Sequence, residues 1–143
     1  MGNGSNPKRS ADSQTNHNNM VKYIANDLVS KGYGVLADHI NWPKGSPGKI
    51  NGYIPDLTVT STDSFIIFEI ETCSTYSDDY TREQLTAFDK KGGTYIIIPP
   101  VCSMDNKSYN PVEEVKQNLK NWGLFSVRVG TCDPITGKIN YNA

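Results

Sequence analysis

The sequence predicts a single α/β domain, a mixed central β-sheet flanked by helices. Three observations lead there. Residues 53–60 and 65–72 are two β-prone runs separated by four residues, Ser61 to Ser64, a spacing that favours an antiparallel hairpin. Thr94 to Ile98 is a continuous apolar run closed by Pro99-Pro100 and preceded by a helical segment, the pattern of a buried parallel strand reached by a crossover. The length of 143 residues suits one domain, which at this size buries roughly two-thirds of the surface its unfolded chain exposes.

The elements follow in order. Residues 1–16 are rich in Asn, Ser and Gly and read as a flexible tail, with the domain proper spanning 17–143. From His17 to Lys31, Met20, Val21, Ile24, Leu28 and Val29 recur at helical spacing; Asn16 or Asn18 offers a cap and Gly32 a stop. Gly34 to Ile40 reads as a strand. Trp42 to Gly52, with two prolines and three glycines, reads as a loop placed to act as a flap. The strand 65–72 has apolar residues on both faces over Phe65 to Phe68, which predicts a central position. Asp78 to Lys91 reads as a helix ended by Gly92-Gly93, and Pro111 opens a last helix carrying Val112, Val115, Leu119 and Trp122. Leu124 to Val129 reads as a strong strand, with an edge strand around Ile139.

Lys and Arg total 14 against 15 Asp and Glu, so the formal net charge is −1 and strong, non-specific attraction to nucleic acid gains no support. The three cysteines, Cys73, Cys102 and Cys132, lack metal-site spacing and are odd in number, which predicts reduced thiols and a cytoplasmic or similarly reducing location. No apolar run is long enough to span a bilayer.

The chemistry concentrates in two neighbouring strands. Side chains alternate along a strand, so Glu69 and Glu71 share one face while Phe68 and Ile70 take the other. Asp56, directed by Pro55 into the preceding strand, adds a third carboxylate. Grouped carboxylates repel one another, and an all-oxygen cluster suits a hard cation such as Mg²⁺ or Mn²⁺. Asp56 and Glu69, with the Ile70 carbonyl, are the expected ligands, and Glu71 either binds a second ion or orients water. The cation expected to balance a phosphoryl transition state would come from Lys90, Lys91 or Lys49, in declining order. The plainer reading keeps Asp56 in a turn and both glutamates on a solvated face. The central position of the strand opposes it, because a polar face there is covered unless it lines a cleft.

The pattern Gly52-x-x-Pro55-Asp56, then Glu69-x-Glu71 after a short hairpin, then a helix and an apolar strand, resembles the PD-(D/E)xK nuclease superfamily over about His17 to Val129. The resemblance implies a restriction endonuclease-like fold and a Mg²⁺- or Mn²⁺-dependent endonuclease. Nucleic acid would be the partner, DNA ahead of RNA, with a homodimer as the means of cutting both strands. It places the metal on Asp56 and Glu69. Glu71 occupies the usual lysine position, as in the Glu-x-Glu variant of some restriction enzymes, and Gln84 matches a site residue of the following helix. His17 reads first as an exposed polar residue. Its second reading is the first-helix metal ligand of some viral cap-cleaving relatives, which favours Mn²⁺ and RNA. A non-catalytic member of the fold, serving in nucleic-acid binding or assembly, is the remaining alternative.

Overall fold

The computed structural model describes residues 9–143. The expected tail lies outside the described residues as far as residue 8, but residues 11–16 of it belong to a helix, α1, Ala11–Ser30. The cap is Ser10 rather than Asn16 or Asn18: its hydroxyl accepts the Ser13 N–H at 3.1 Å, and Asp12 adds a negative charge in the first turn. The first turns of α1 lack an apolar stripe, so hydrophobic periodicity detects the helix only near Met20.

Six strands form one mixed sheet in the order β1 (Gly34–Ala37), β2 (Leu57–Thr60), β3 (Phe65–Ile70), β4 (Gly93–Ile98), β7 (Arg128–Cys132), β8 (Ile139–Asn140). The pairs β1·β2 and β2·β3 are antiparallel, β3·β4 and β4·β7 parallel, and β7·β8 antiparallel. The expected hairpin and crossover are both present, and β3 sits inside the sheet. The register sets Leu57 opposite Phe68 and Ile70 beside Ile97.

The two faces are covered separately. On one, Met20, Val21, Ile24 and Leu28 of α1 pack with Leu57, Val59, Phe68, Ile70 and Ile97. On the other, α2 (Asp79–Asp89) sets Phe88 against Ile67, while Leu85 joins Ile96, Ile98 and Val129 together with Val115 and Leu119 of α3 (Val112–Asn121). Side chains of this size contribute roughly 1.5–3 kcal/mol each when fully buried.

Several features depart from the sequence pattern. The strand expected at Gly34 to Ile40 stops at Ala37, where the chain turns with His39 at positive φ, and the one expected over 53–60 begins at Leu57. The strand expected at Leu124 to Val129 begins at Arg128, because Leu124 and Val127 bury through a turn, while Phe125 between them is 78 % exposed. A small hairpin, β5 (Cys102–Met104) and β6 (Lys107–Tyr109), turns on Asp105 and Asn106, both at positive φ. Finally, Cys73 and Cys102 form a disulfide and only Cys132 is free, so the expectation of three reduced thiols fails. The two half-cystines follow adjacent parallel strands, β3 and β4, which brings their Cα atoms to 5.7 Å across 29 residues of sequence. A disulfide also runs against the reducing location inferred from the odd count. Among the described residues no helix is long and apolar enough to cross a membrane.

Candidate metal centre

The β2·β3 register, continued one residue beyond β2, brings Asp56 level with Glu69. The contact is reciprocal. The Asp56 N–H donates to Glu69 Oε1 at 3.2 Å, and the Ile70 N–H donates to Asp56 Oδ2 at 2.8 Å. Glu71 lies one alternation further along the same face, anchored by its own N–H to the Ile97 carbonyl at 2.8 Å. Its Oε1 accepts the Thr81 hydroxyl at 3.1 Å and meets Arg9 Nη2 at 3.7 Å, whereas its Oε2 is buried without a hydrogen-bond partner. Glu69 and Glu71 are 2 % and 1 % exposed, so the solvated-face reading fails. One carboxylate oxygen from each of Asp56, Glu69 and Glu71 lies within 4.8 Å of the others.

The electrostatics follow from this crowding. Burial, joined by the negative charges of Asp56 and Glu71, raises the Glu69 carboxyl well above its ordinary value. Burial and the Asp56 charge push Glu71 up to about 7, against the opposing pull of Arg9. Asp56 goes the other way: burial alone would raise it, but the neighbouring His17 charge, the approach of the His17 and His39 rings and the hydrogen bond from the Ile70 N–H hold it far below the usual carboxylate range. Three carboxylates so close are a donor set for a divalent ion, and the oxygen left unpartnered on Glu71 is the atom such an ion would satisfy.

His17 is fully buried rather than exposed. Its Nε2 stands 3.1 Å from Asp56 Oδ2, and burial, which would lower its pKa, is outweighed by that carboxylate, so the pKa is raised. α1 positions the ring by starting at Ala11, so that residue 17 lies within the helix and its ring reaches Asp56.

A cavity of about 350 Å³ opens onto the cluster, lined among others by Arg9, Lys49, Tyr53, Asp56, Glu69, Glu71, Tyr80 and Gln84. Gln84 thus shares the cavity with the carboxylates, and the loop expected as a flap contributes Lys49 and Gly52 to its wall. Lys90 does not reach it. It is exposed at the C-terminal cap of α2, about 9 Å of helix rise beyond Gln84, and Lys91 follows it still further out. Ile70 meets the cluster through its N–H while its side chain belongs to the core under α1. Tyr76 packs at a core edge, hydrogen-bonded to Glu114 at 2.8 Å, whereas Tyr80 stays at the cavity beside Tyr53, ring centroids 5.8 Å apart.

Three residues of the site escape the sequence pattern: His39, Arg9 and Thr81. His39 follows β1, and its Nε2 is 3.4 Å from Asp56 Oδ1. The available signal was register, since an antiparallel β1·β2 pair brings the residues just after β1 to those just before β2. Arg9 precedes the helix cap in a segment with no periodic signal. No family model matches the chain, and no curated protein matches its sequence.

Proposed function

We propose that this protein is a divalent-metal-dependent endonuclease that hydrolyses phosphodiester bonds of DNA, built on a restriction endonuclease-like fold of the PD-(D/E)xK type. The observation that carries the reading is the convergence of Asp56, Glu69 and Glu71, all buried, at a polar cavity with one Glu71 oxygen unpartnered. Asp56, Glu69 and Glu71 would hold Mg²⁺ or Mn²⁺. Such an ion, when bound, lowers the pKa of a coordinated water and offsets charge on a phosphoryl oxygen.

The remaining roles fall to the chain itself. Glu71 Oε2 would either complete the ligand set of the ion or, with Asp56 and Glu69 holding it, orient the water and take its proton. Thr81 fixes the other Glu71 oxygen, so that Oε2 keeps its direction. Arg9 and Lys49 supply the positive charge that the motif lacks at position 71, and Arg9 is the nearer, with Nη2 beside Glu71. Tyr53 and Tyr80 offer aromatic surface on which a base can stack. Cutting both strands of a duplex calls for a two-fold dimer.

A second reading, an RNA endonuclease with a histidine in its metal site, is favoured by one specific observation: His17 is buried against Asp56 rather than exposed. Incubation of plasmid, single-stranded DNA and RNA with Mg²⁺ or Mn²⁺ separates the two. Cleavage of DNA that is lost in Asp56→Ala supports the first, and cleavage confined to RNA supports the second. Equal activity in wild type and Asp56→Ala removes the site from both.

A further inference from the structure

Asp56 has a second set of neighbours that the acidic cluster does not use. His17 Nε2 lies 3.1 Å from its Oδ2, and His39 Nε2 lies 3.4 Å from its Oδ1. One ligand atom from each of His17, His39 and Asp56 lies within 4.8 Å of the others. The two rings meet edge to face with centroids 5.1 Å apart.

The His17 ring is fixed from both sides. Its Nδ1 is 3.0 Å from Asn18 Oδ1, and that oxygen also accepts from Gln14 Nε2 at 2.9 Å. An amide oxygen can only accept, so Nδ1 carries a proton, and Nε2 is the nitrogen left to face Asp56, where a metal ion would take the place of its proton. Nε2 is completely buried, and despite its 3.1 Å approach to the carboxylate it is not aligned for a hydrogen bond. A buried ring nitrogen held without an aligned partner, with its other nitrogen fixed from behind, is the arrangement found around metal-binding histidines.

The donor type differs from that of the carboxylate cluster. Imidazole nitrogens suit Zn²⁺, Co²⁺ and related first-row ions, whereas carboxylates and water suit Mg²⁺ and Mn²⁺. Ligand atoms placed 2.0–2.1 Å from a four-coordinate ion sit about 3.3–3.4 Å apart, and each histidine nitrogen stands at 3.1 or 3.4 Å from its own oxygen of the Asp56 carboxylate. His39 has the freedom to complete the site, because its side chain is 40 % exposed and borders the cavity. Its second neighbour, Asp38 Oδ2, is 3.4 Å from the same Nε2 and adds negative charge on that side.

We infer that His17, His39 and Asp56 form a nitrogen-rich site for a borderline first-row ion such as Zn²⁺ or Co²⁺, distinct from the oxygen site and joined to it by Asp56 as the shared carboxylate. The chain then holds two ions of different preference side by side. This inference stands apart from phosphodiester cleavage and requires no turnover.

The test is a Co²⁺ titration of chelator-treated protein, followed by visible absorption. Wild type is expected to show ligand-field bands saturating at one equivalent, with Zn²⁺ displacing the signal. His39→Ala, a change at a half-exposed loop residue, should weaken Co²⁺ on the order of 100-fold, while Mn²⁺ binding stays within a few-fold. Glu71→Gln should do the reverse, weakening Mn²⁺ and keeping the cobalt bands. Absence of the bands in wild type overturns the proposal. So does a cobalt affinity unchanged in His39→Ala, or one lost equally in Glu71→Gln, which would mean a single site. If DNA cleavage is absent while the cobalt pattern appears as described, the nuclease reading fails and this one stands.

Discussion

The two faces of β3 are equally buried and chemically opposite. Phe68 and Ile70 point into the apolar layer under α1, while Ile67 gives way along the other face to Glu69 and Glu71. On the first face burial stabilises the fold by removing hydrocarbon from water. On the second the same burial works against it, since carboxylates lose hydration and face one another. The strand therefore anchors the domain with one side and holds the other in a state that a cation would relieve. Stability is given up where chemistry is proposed, a division common at functional sites.

The comparison can be broken most forcefully on the apolar side. Ile70→Ala leaves a cavity between α1 and the sheet and should cost roughly 2–5 kcal/mol, read as a fall in the denaturant midpoint. A loss below about 1 kcal/mol would mean that this face is not the anchor.

On the acidic side the sign reverses and depends on pH. Glu71 has its folded value raised from 4.5 to about 7. Its contribution is therefore fully present below pH 4.5 and is lost as pH rises through about 7. His17 and Glu69, also raised, act in the same direction. Metal-free protein should lose stability between pH 5 and pH 8.5. Glu71→Gln should flatten that loss and gain roughly 1–3 kcal/mol at the upper end, with little change at pH 5. A thermal-melt series across pH for both proteins checks it, and parallel curves would contradict it.

Bound cation should restore what the carboxylates lose. With free Mn²⁺ at a hundred times its dissociation constant, the gain is about 2.7 kcal/mol. The rise in melting temperature should be larger at pH 8 than at pH 5.5, because protons compete for the ligands. The smallest effect is expected at Arg9. Arg9→Ala removes the positive charge beside Glu71, so Mn²⁺ should bind a few-fold more tightly even as turnover falls about tenfold. A parallel loss of metal affinity would make Arg9 a structural residue only.

Much of this arrangement is legible in the residues themselves. Alternation over Phe65 to Glu71 declares the two faces of β3, and the short Ser61 to Ser64 link brings Asp56 to Glu69. The run Thr94 to Ile98 declares the parallel neighbour. What escapes is whatever depends on polar contacts or on register with a distant strand. The early turns of α1 are held by a capping hydroxyl and by Ser13 bonding to Thr72 at 2.7 Å, neither of which leaves an apolar period. Lys90 is close to Gln84 in sequence, yet the helix carries it out of the site. His39 becomes a site residue only once β1 is known to pair with β2. The Cys73–Cys102 pairing likewise depends on which strands lie side by side.

The central claim is that the Asp56–Glu69–Glu71 face is a cation site rather than a set of buried hydrogen-bonding groups. Calorimetric titration of metal-free protein with Mn²⁺ at pH 8 tests it most directly. The account predicts saturable binding, with the Mn²⁺ affinity falling at least tenfold in Glu69→Gln. Absence of binding at millimolar Mn²⁺, or equal binding in wild type and Glu69→Gln, would contradict it.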